Sequence, residues 1–125
     1  MRELLFRGKR YSPNDSQDRK DWVFGGVLQT DGNMSIIFTD VVNGTNAVYT
    51  DTLCQFSGRK DKKGTNIYEG DILETETGYW VVKFDQGAFL ASCLSYRCLN
   101  YLFSLADCKV VGNIYDNPDI VRRYL

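Results

Sequence analysis

Glycine-bearing turn signals divide this chain into short segments rich in β-branched and aromatic residues, which suit a pleated, half-buried surface. Leu4-Leu5-Phe6-Arg7 is the first candidate strand, and Trp22-Val23-Phe24 leads through Gly25-Gly26 to Val27-Leu28-Gln29. Asp31-Gly32 then predicts a hairpin turn before Met34 to Phe38, because both residue types tolerate the positive φ of a type I′ turn. Asn43-Gly44 has the same chemistry, and Val48 to Phe56 is again rich in Thr, Val, Tyr and Phe. In the second half, Ile72-Leu73 and Trp80 to Phe84 read as strands joined around Thr77-Gly78. Asp85-Gln86-Gly87 predicts a three-residue hairpin loop with glycine at the left-handed position, returning through Ala88 to Ala91. Lys109 to Tyr115 is the last strand.

Two stretches read as something other than strand. Tyr96, Leu99, Phe103 and Ala106 fall at helical spacing, although the aromatics also suit a strand, so residues 96–106 predict a short helix or an irregular crossing. Asn117-Pro118 is a helix-start signal, with Asn as N-cap and Pro at the first helical position. Ile120, Val121 and Tyr124 would dock that helix, and Arg122 and Arg123 would sit at its C-terminal end, where positive charge is favoured. The polar run 12–21 is expected as an exposed loop between strands.

Short strands with frequent turns imply a mainly β fold, a small sandwich or barrel and not a parallel α/β sheet. Residues 58–125 have the strand lengths of a five-stranded SH3-like barrel. Residues 1–57 add N-terminal β-hairpins expected to pack on it, with one or two short helices near the C-terminus. The 125 residues suit one domain, 1–125, and a chain of this length buries roughly two-thirds of its unfolded surface.

Composition narrows the chemistry. Hydrophobic residues make up 43% and charged residues 25%, with a net charge of -1, so there is no global cationic surplus for phosphate binding. No apolar run approaches the roughly 18 residues that span a bilayer, and Leu4-Leu5-Phe6 is too short for a signal-peptide core; a cytosolic protein is expected. The chain has no histidine, which removes His-based acid–base and triad mechanisms. Cys54, Cys93, Cys98 and Cys108 form no C-x-x-C pair and are expected as free thiols on strands; only a scattered cluster of all four would make a zinc site. No cofactor is expected.

The densest pattern runs from Gly58 to Ile72: Gly-Arg-Lys-Asp-Lys-Lys-Gly-Thr-Asn-Ile-Tyr-Glu-Gly-Asp-Ile. Asp61-Lys62-Lys63-Gly64 reads as a tight turn, with Asp61 bonding nearby backbone and Gly64 supplying positive φ. Ile67-Tyr68 would fill core, and Glu69-Gly70-Asp71 would reverse the chain, with Gly70 where a side chain would clash and Asp71 accepting backbone N–H groups.

At this motif the sequence resembles the YopX family of small phage and prophage proteins. Met1-Arg2-Glu3 with Phe6 to Arg10, Trp22-Val23-Phe24-Gly25, Thr52 to Gly58 leading into Arg59 to Ile72, Gly87-Ala88-Phe89, and Val111-Gly112-Asn113-Ile114-Tyr115-Asp116-Asn117-Pro118 all resemble its signature elements, in order. Arg59 stands where that family usually has an apolar residue, Ser57 replaces Thr, and the loop after Arg10 is longer. The resemblance implies a mainly β fold with an SH3-like barrel, and it brings no reaction, substrate or catalytic residue.

Three functions compete. The first is a non-enzymatic protein-interaction module, a phage accessory protein using an exposed aromatic groove or a strand edge, with Tyr68, Tyr79, Trp80, Tyr101 and Tyr115 as candidates. Most of these would fill core instead. Homo-oligomerisation through an open edge belongs to the same class. The second is nucleic-acid contact through Arg59, Lys60, Lys62 and Lys63, joined by Arg7, Lys9 and Arg10, set against a merely solvated charged turn. The third is a carboxylate or metal-dependent enzyme built on Glu69, Asp71 and Asp61, set against the turn role of Glu-Gly-Asp.

Overall fold

The computed structural model describes residues 4–12, 19, 21–96 and 98–124. Met1-Arg2-Glu3 and most of the polar run 12–21 therefore lie outside the described residues. The chain is mainly β and divides into two compact units, Met1–Phe56 and Ser57–Leu125.

In the first unit, β1 (Phe6–Lys9) pairs antiparallel with β2 (Trp22–Thr30), followed by β3 (Met34–Asp40) and β4 (Gly44–Tyr49). A 3-10 turn, Thr50–Thr52, leads to β5 (Cys54–Lys60), whose start pairs with the other side of β1. Arg10 makes a lone antiparallel bridge with Val48 just beyond β1. Val23, Ile37 and Val48 form the core, with Val27 and Leu53 against it.

Gly25-Gly26 is not a break: β2 runs straight through it. A Cβ on Gly25 would lie 2.1 Å from the Phe38 carbonyl oxygen, so glycine is there for close approach of two strands. The Asp31-Gly32 turn also differs from the expectation. Asp31 N–H donates to Met34 C=O at 3.0 Å, which makes Gly32-Asn33 the two loop residues, and neither Asp31 nor Gly32 takes positive φ. Asn43-Gly44 closes a longer loop in which Asp40 Oδ1 accepts Asn43 N–H at 2.6 Å and Gly44 sits at φ +64°.

In the second unit, β6 (Asn66–Tyr68), β7 (Asp71–Thr75), β8 (Gly78–Asp85), β9 (Ala88–Cys93), β10 (Leu99–Tyr101) and β11 (Lys109–Asn113) precede α1 (Pro118–Arg122). Five of these strands form an antiparallel sheet in the order β10-β9-β8-β7-β11, so the last strand returns beside the first. No ladder joins β10 to β11 among the described residues, so the sheet is not closed. Its core is Ile67, Leu73, Trp80, Val82, Ala91, Cys93, Leu102, Leu105 and Cys108.

The β8–β9 hairpin, not the Asp31-Gly32 one, has the type I′ form. Asp85 pairs with Ala88, leaving a two-residue loop in which Gln86 and Gly87 both have positive φ, +50° and +79°. Residues 96–106 hold no α-helix; β10 runs into a 3-10 turn, Leu102–Ser104. Leu102 and Leu105 face the core there, whereas Tyr96, Leu99 and Phe103 of the helical pattern are exposed. The short helix at Pro118 forms as expected, with Pro at its start, but Asn117 makes no side-chain cap bond to it.

Candidate functional site

The turn at 61–65 is organised by one carboxylate. Asp61 is buried; its Oδ1 accepts the N–H groups of Lys63 and Thr65, both at 2.9 Å, and its Oδ2 accepts Val110 N–H at 2.9 Å. Gly64, at φ +84°, closes the turn by donating to Asp61 C=O at 3.0 Å. Burial alone would push the Asp61 carboxyl up; the N–H groups of Val110, Thr65 and Lys63, with the Lys63 charge behind them, more than reverse this and hold it below the usual carboxylate range. Asp61 therefore ties the turn to β11.

The Glu69-Gly70-Asp71 reversal is tied in the same manner. Asp71 Oδ2 accepts Tyr68 N–H at 2.8 Å. Gly70, at φ +88°, donates to Val82 C=O at 2.8 Å and accepts from Ile114 N–H at 2.9 Å. Asp71 pairs directly with Asn113 across the β7–β11 ladder. Asn113 Oδ1 in turn accepts the N–H groups of Tyr115 and Asp116 at 3.0 and 2.8 Å. Asn117 Oδ1 accepts Asn113 N–H at 3.1 Å instead of capping α1, and a Cβ on Gly112 would meet that oxygen at 2.3 Å. Gly58, at the far end of the motif, has φ +86° within β5.

The basic residues divide into two sets. Lys60, Lys62 and Lys63 are exposed on the turn. Arg59 is not part of a free patch: its guanidinium donates to the carbonyls of Leu102 and Leu105 and closes both ends of the 3-10 turn. Arg7 and Lys9 are also withdrawn. Lys9 is only 1% exposed, and both cations stand over the Trp22 ring, 4.4 and 4.5 Å from its centroid. Arg10 is exposed and bonds Asn46 Oδ1 at 2.5 Å. Arg19, from the polar run, lies over Tyr49 and pairs with Asp51 at 3.0 Å.

The aromatic candidates separate just as sharply. Tyr68 is 4% exposed, so it belongs to the interior and not to a surface patch. Trp80 is a core residue whose Nε1 donates to Thr75 Oγ1 at 3.0 Å. Tyr79 is half-buried, edge-on to Tyr124, and Tyr115 is at the margin of exposure. Tyr101 alone of the five stands well exposed on a sheet edge, with its ring stacked on Phe103 at 5.4 Å.

A cleft of about 610 Å³ opens beside that edge, where the β7–β8 turn, the Cys93–Cys98 connection and the 104–107 stretch converge. Trp80 and Leu105 give it apolar walls, and Glu76 and Asp107 give it acid. A neighbouring hollow shares Thr75, Glu76 and Asp107 and adds Lys62, Glu74 and Tyr79. Lys62 thus looks onto carboxylates, a setting that repels phosphate.

The two densest stretches of the sequence, 58–72 and 111–118, meet at the Asp71–Asn113 pair. A family model described as YopX protein matches residues 6–122. This chain belongs to the YopX family. No curated protein matches it. In this YopX-family chain the two stretches are chiefly a network of backbone ties. Leu99 and Phe103, which flank Tyr101 on the exposed edge, were not singled out as surface residues by sequence reasoning. A free edge is a property of strand order, and nothing local in 96–106 distinguishes an outward aromatic from a core one.

Proposed function

We propose that this chain is a non-enzymatic protein-interaction module, a phage or prophage accessory protein of the host cytosol, and that β10 is its docking edge. The observation that carries this is the exposure of Leu99 and Tyr101 on the terminal strand of an open sheet, with exposed Phe103 of the following 3-10 turn stacked on Tyr101. Cys93 N–H bonds Cys98 C=O at 2.9 Å, so by antiparallel alternation the N–H groups of Leu99 and Tyr101 point away from β9. Such an edge accepts an extended partner segment by main-chain bonding, with the aromatic rings adding apolar contact. Five short antiparallel strands, the last returning beside the first, support reading the second unit as a partly open SH3-like barrel.

Tyr101 has φ -63°, already the proline value, and its N–H points outward. Tyr101→Pro should therefore keep the fold while removing a docking donor. In pull-downs from lysogenic cells, the wild type is expected to capture a nuclease-resistant protein that Tyr101→Pro loses, with circular dichroism and urea midpoint unchanged. A nuclease-sensitive partner, retained by Tyr101→Pro and lost by a Lys60/Lys62/Lys63→Ala triple variant, would transfer the function to the basic turn.

A further inference from the structure

The four thiols are not equivalent. Cys54 is buried and its Sγ donates to Thr52 C=O at 3.2 Å; Cys108 is buried, and burial pushes its thiol up. Cys93 and Cys98 differ from these in lining one cleft together. Their backbones are also linked. The β9–β10 ladder ends at the Ser92–Leu99 pair, and just beyond it Cys93 N–H donates to Cys98 C=O at 2.9 Å, while Cys98 N–H turns back to Tyr96 C=O at 2.8 Å. That single bond keeps the two chains near the strand spacing of about 4.8 Å at this point, inside the Cα range a disulfide bridges.

We propose that Cys93 and Cys98 form a dithiol–disulfide site, oxidised by a low-molecular-weight disulfide such as oxidised glutathione. Cys98 is exposed and Cys93 nearly buried, which sets the order of events. The Cys98 thiolate attacks one glutathione sulfur, breaks the glutathione S–S bond and releases one glutathione thiolate. The Cys93 thiolate then attacks the Cys98 sulfur, forming the Cys93–Cys98 bond and releasing the second. The two protons lost by the protein thiols end on the two glutathione thiols, so the protein is oxidised by two electrons and the reagent reduced by two.

Neighbouring strands stand about 4.8 Å apart, against a Cβ separation of about 3.8 Å in a disulfide. Closure therefore draws β10 toward β9 and strains the bond, which makes it one that thiols reopen readily. The site stands on the protein's own geometry and does not depend on any docking partner.

The test uses the full chain, incubated folded with oxidised glutathione, then denatured, alkylated and peptide-mapped. Free thiols are expected to fall from four to two, with one Cys93–Cys98 linked peptide and full recovery after dithiothreitol. Cys98→Ser is expected to keep its remaining three thiols under the same treatment. A stable Cys98–glutathione adduct with Cys93 still alkylated, a Cys98–Cys98 dimer, or equal loss of Cys54 and Cys108 would each overturn the assignment.

Discussion

Asp61 and Gly112 show how much of this fold rests on single side chains, or on the lack of one. Asp61 accepts three part-buried N–H groups, and a hydrogen bond to a charged group is worth about 1.5–3 kcal/mol where water does not replace it. Asp61→Ala is expected to lower stability by about 2–3 kcal/mol, read from the urea midpoint. The same residue sets an acid limb. Its carboxyl is depressed in the folded chain, so its contribution is present above the unfolded value, about pH 4, and is lost as pH falls through the folded value. Asp61→Asn should flatten the stability profile in that window, and an unchanged acid limb would assign it to other carboxylates. Gly112 is required because Asn117 Oδ1 occupies the space of its missing Cβ. Gly112→Ala is expected to cost about 1–3 kcal/mol, with part of the loss recovered in Gly112→Ala/Asn117→Ala, a coupling that a double-mutant cycle measures.

At the scale of elements, the hairpins show where local chemistry decides and where pairing does. Gln86 sits at φ +50° because the β8–β9 register leaves two residues to turn, and the right-handed twist of the strands favours the type I′ form. A side chain in that conformation costs about 1 kcal/mol, partly offset by the entropy glycine would lose. Gln86→Gly is accordingly expected to hold or raise the thermal midpoint, and Gln86→Val to lower it. Asp31-Gly32 has the better turn sequence, yet the β2–β3 register, with its bulge between Val27 and Gln29, moves the turn one residue on. Arg59 illustrates the reverse case. A guanidinium suits the site because its planar fork reaches two carbonyls of the 3-10 turn at once.

For the molecule as a whole, the charge is nearly balanced, and Lys62 of the exposed turn shares a hollow with Glu74, Glu76 and Asp107. Duplex DNA binding is expected to be weak, with little salt dependence and no change in the Lys60/Lys62/Lys63→Ala variant, measured by fluorescence anisotropy. Steep salt dependence lost in that variant would reverse the expectation. The mainly β class, most strand positions and the short helix at Pro118 were legible in the sequence, because β-branched and aromatic segments between turn residues express local preferences. So was the turn role of Asp61, Gly64 and Gly70, whose chemistry acts over a few residues. The sequence could not show that Arg7, Lys9 and Arg59 leave the basic patch, since Trp22 and the Leu102 and Leu105 carbonyls reach them only through folding. Nor could it show that Tyr68 is interior while Tyr101 lies on an open edge, or that Cys93 and Cys98 line one cleft. Local sequence determines what each segment prefers to be; strand order and register, set by packing between distant segments, decide which side chains meet and which remain outside.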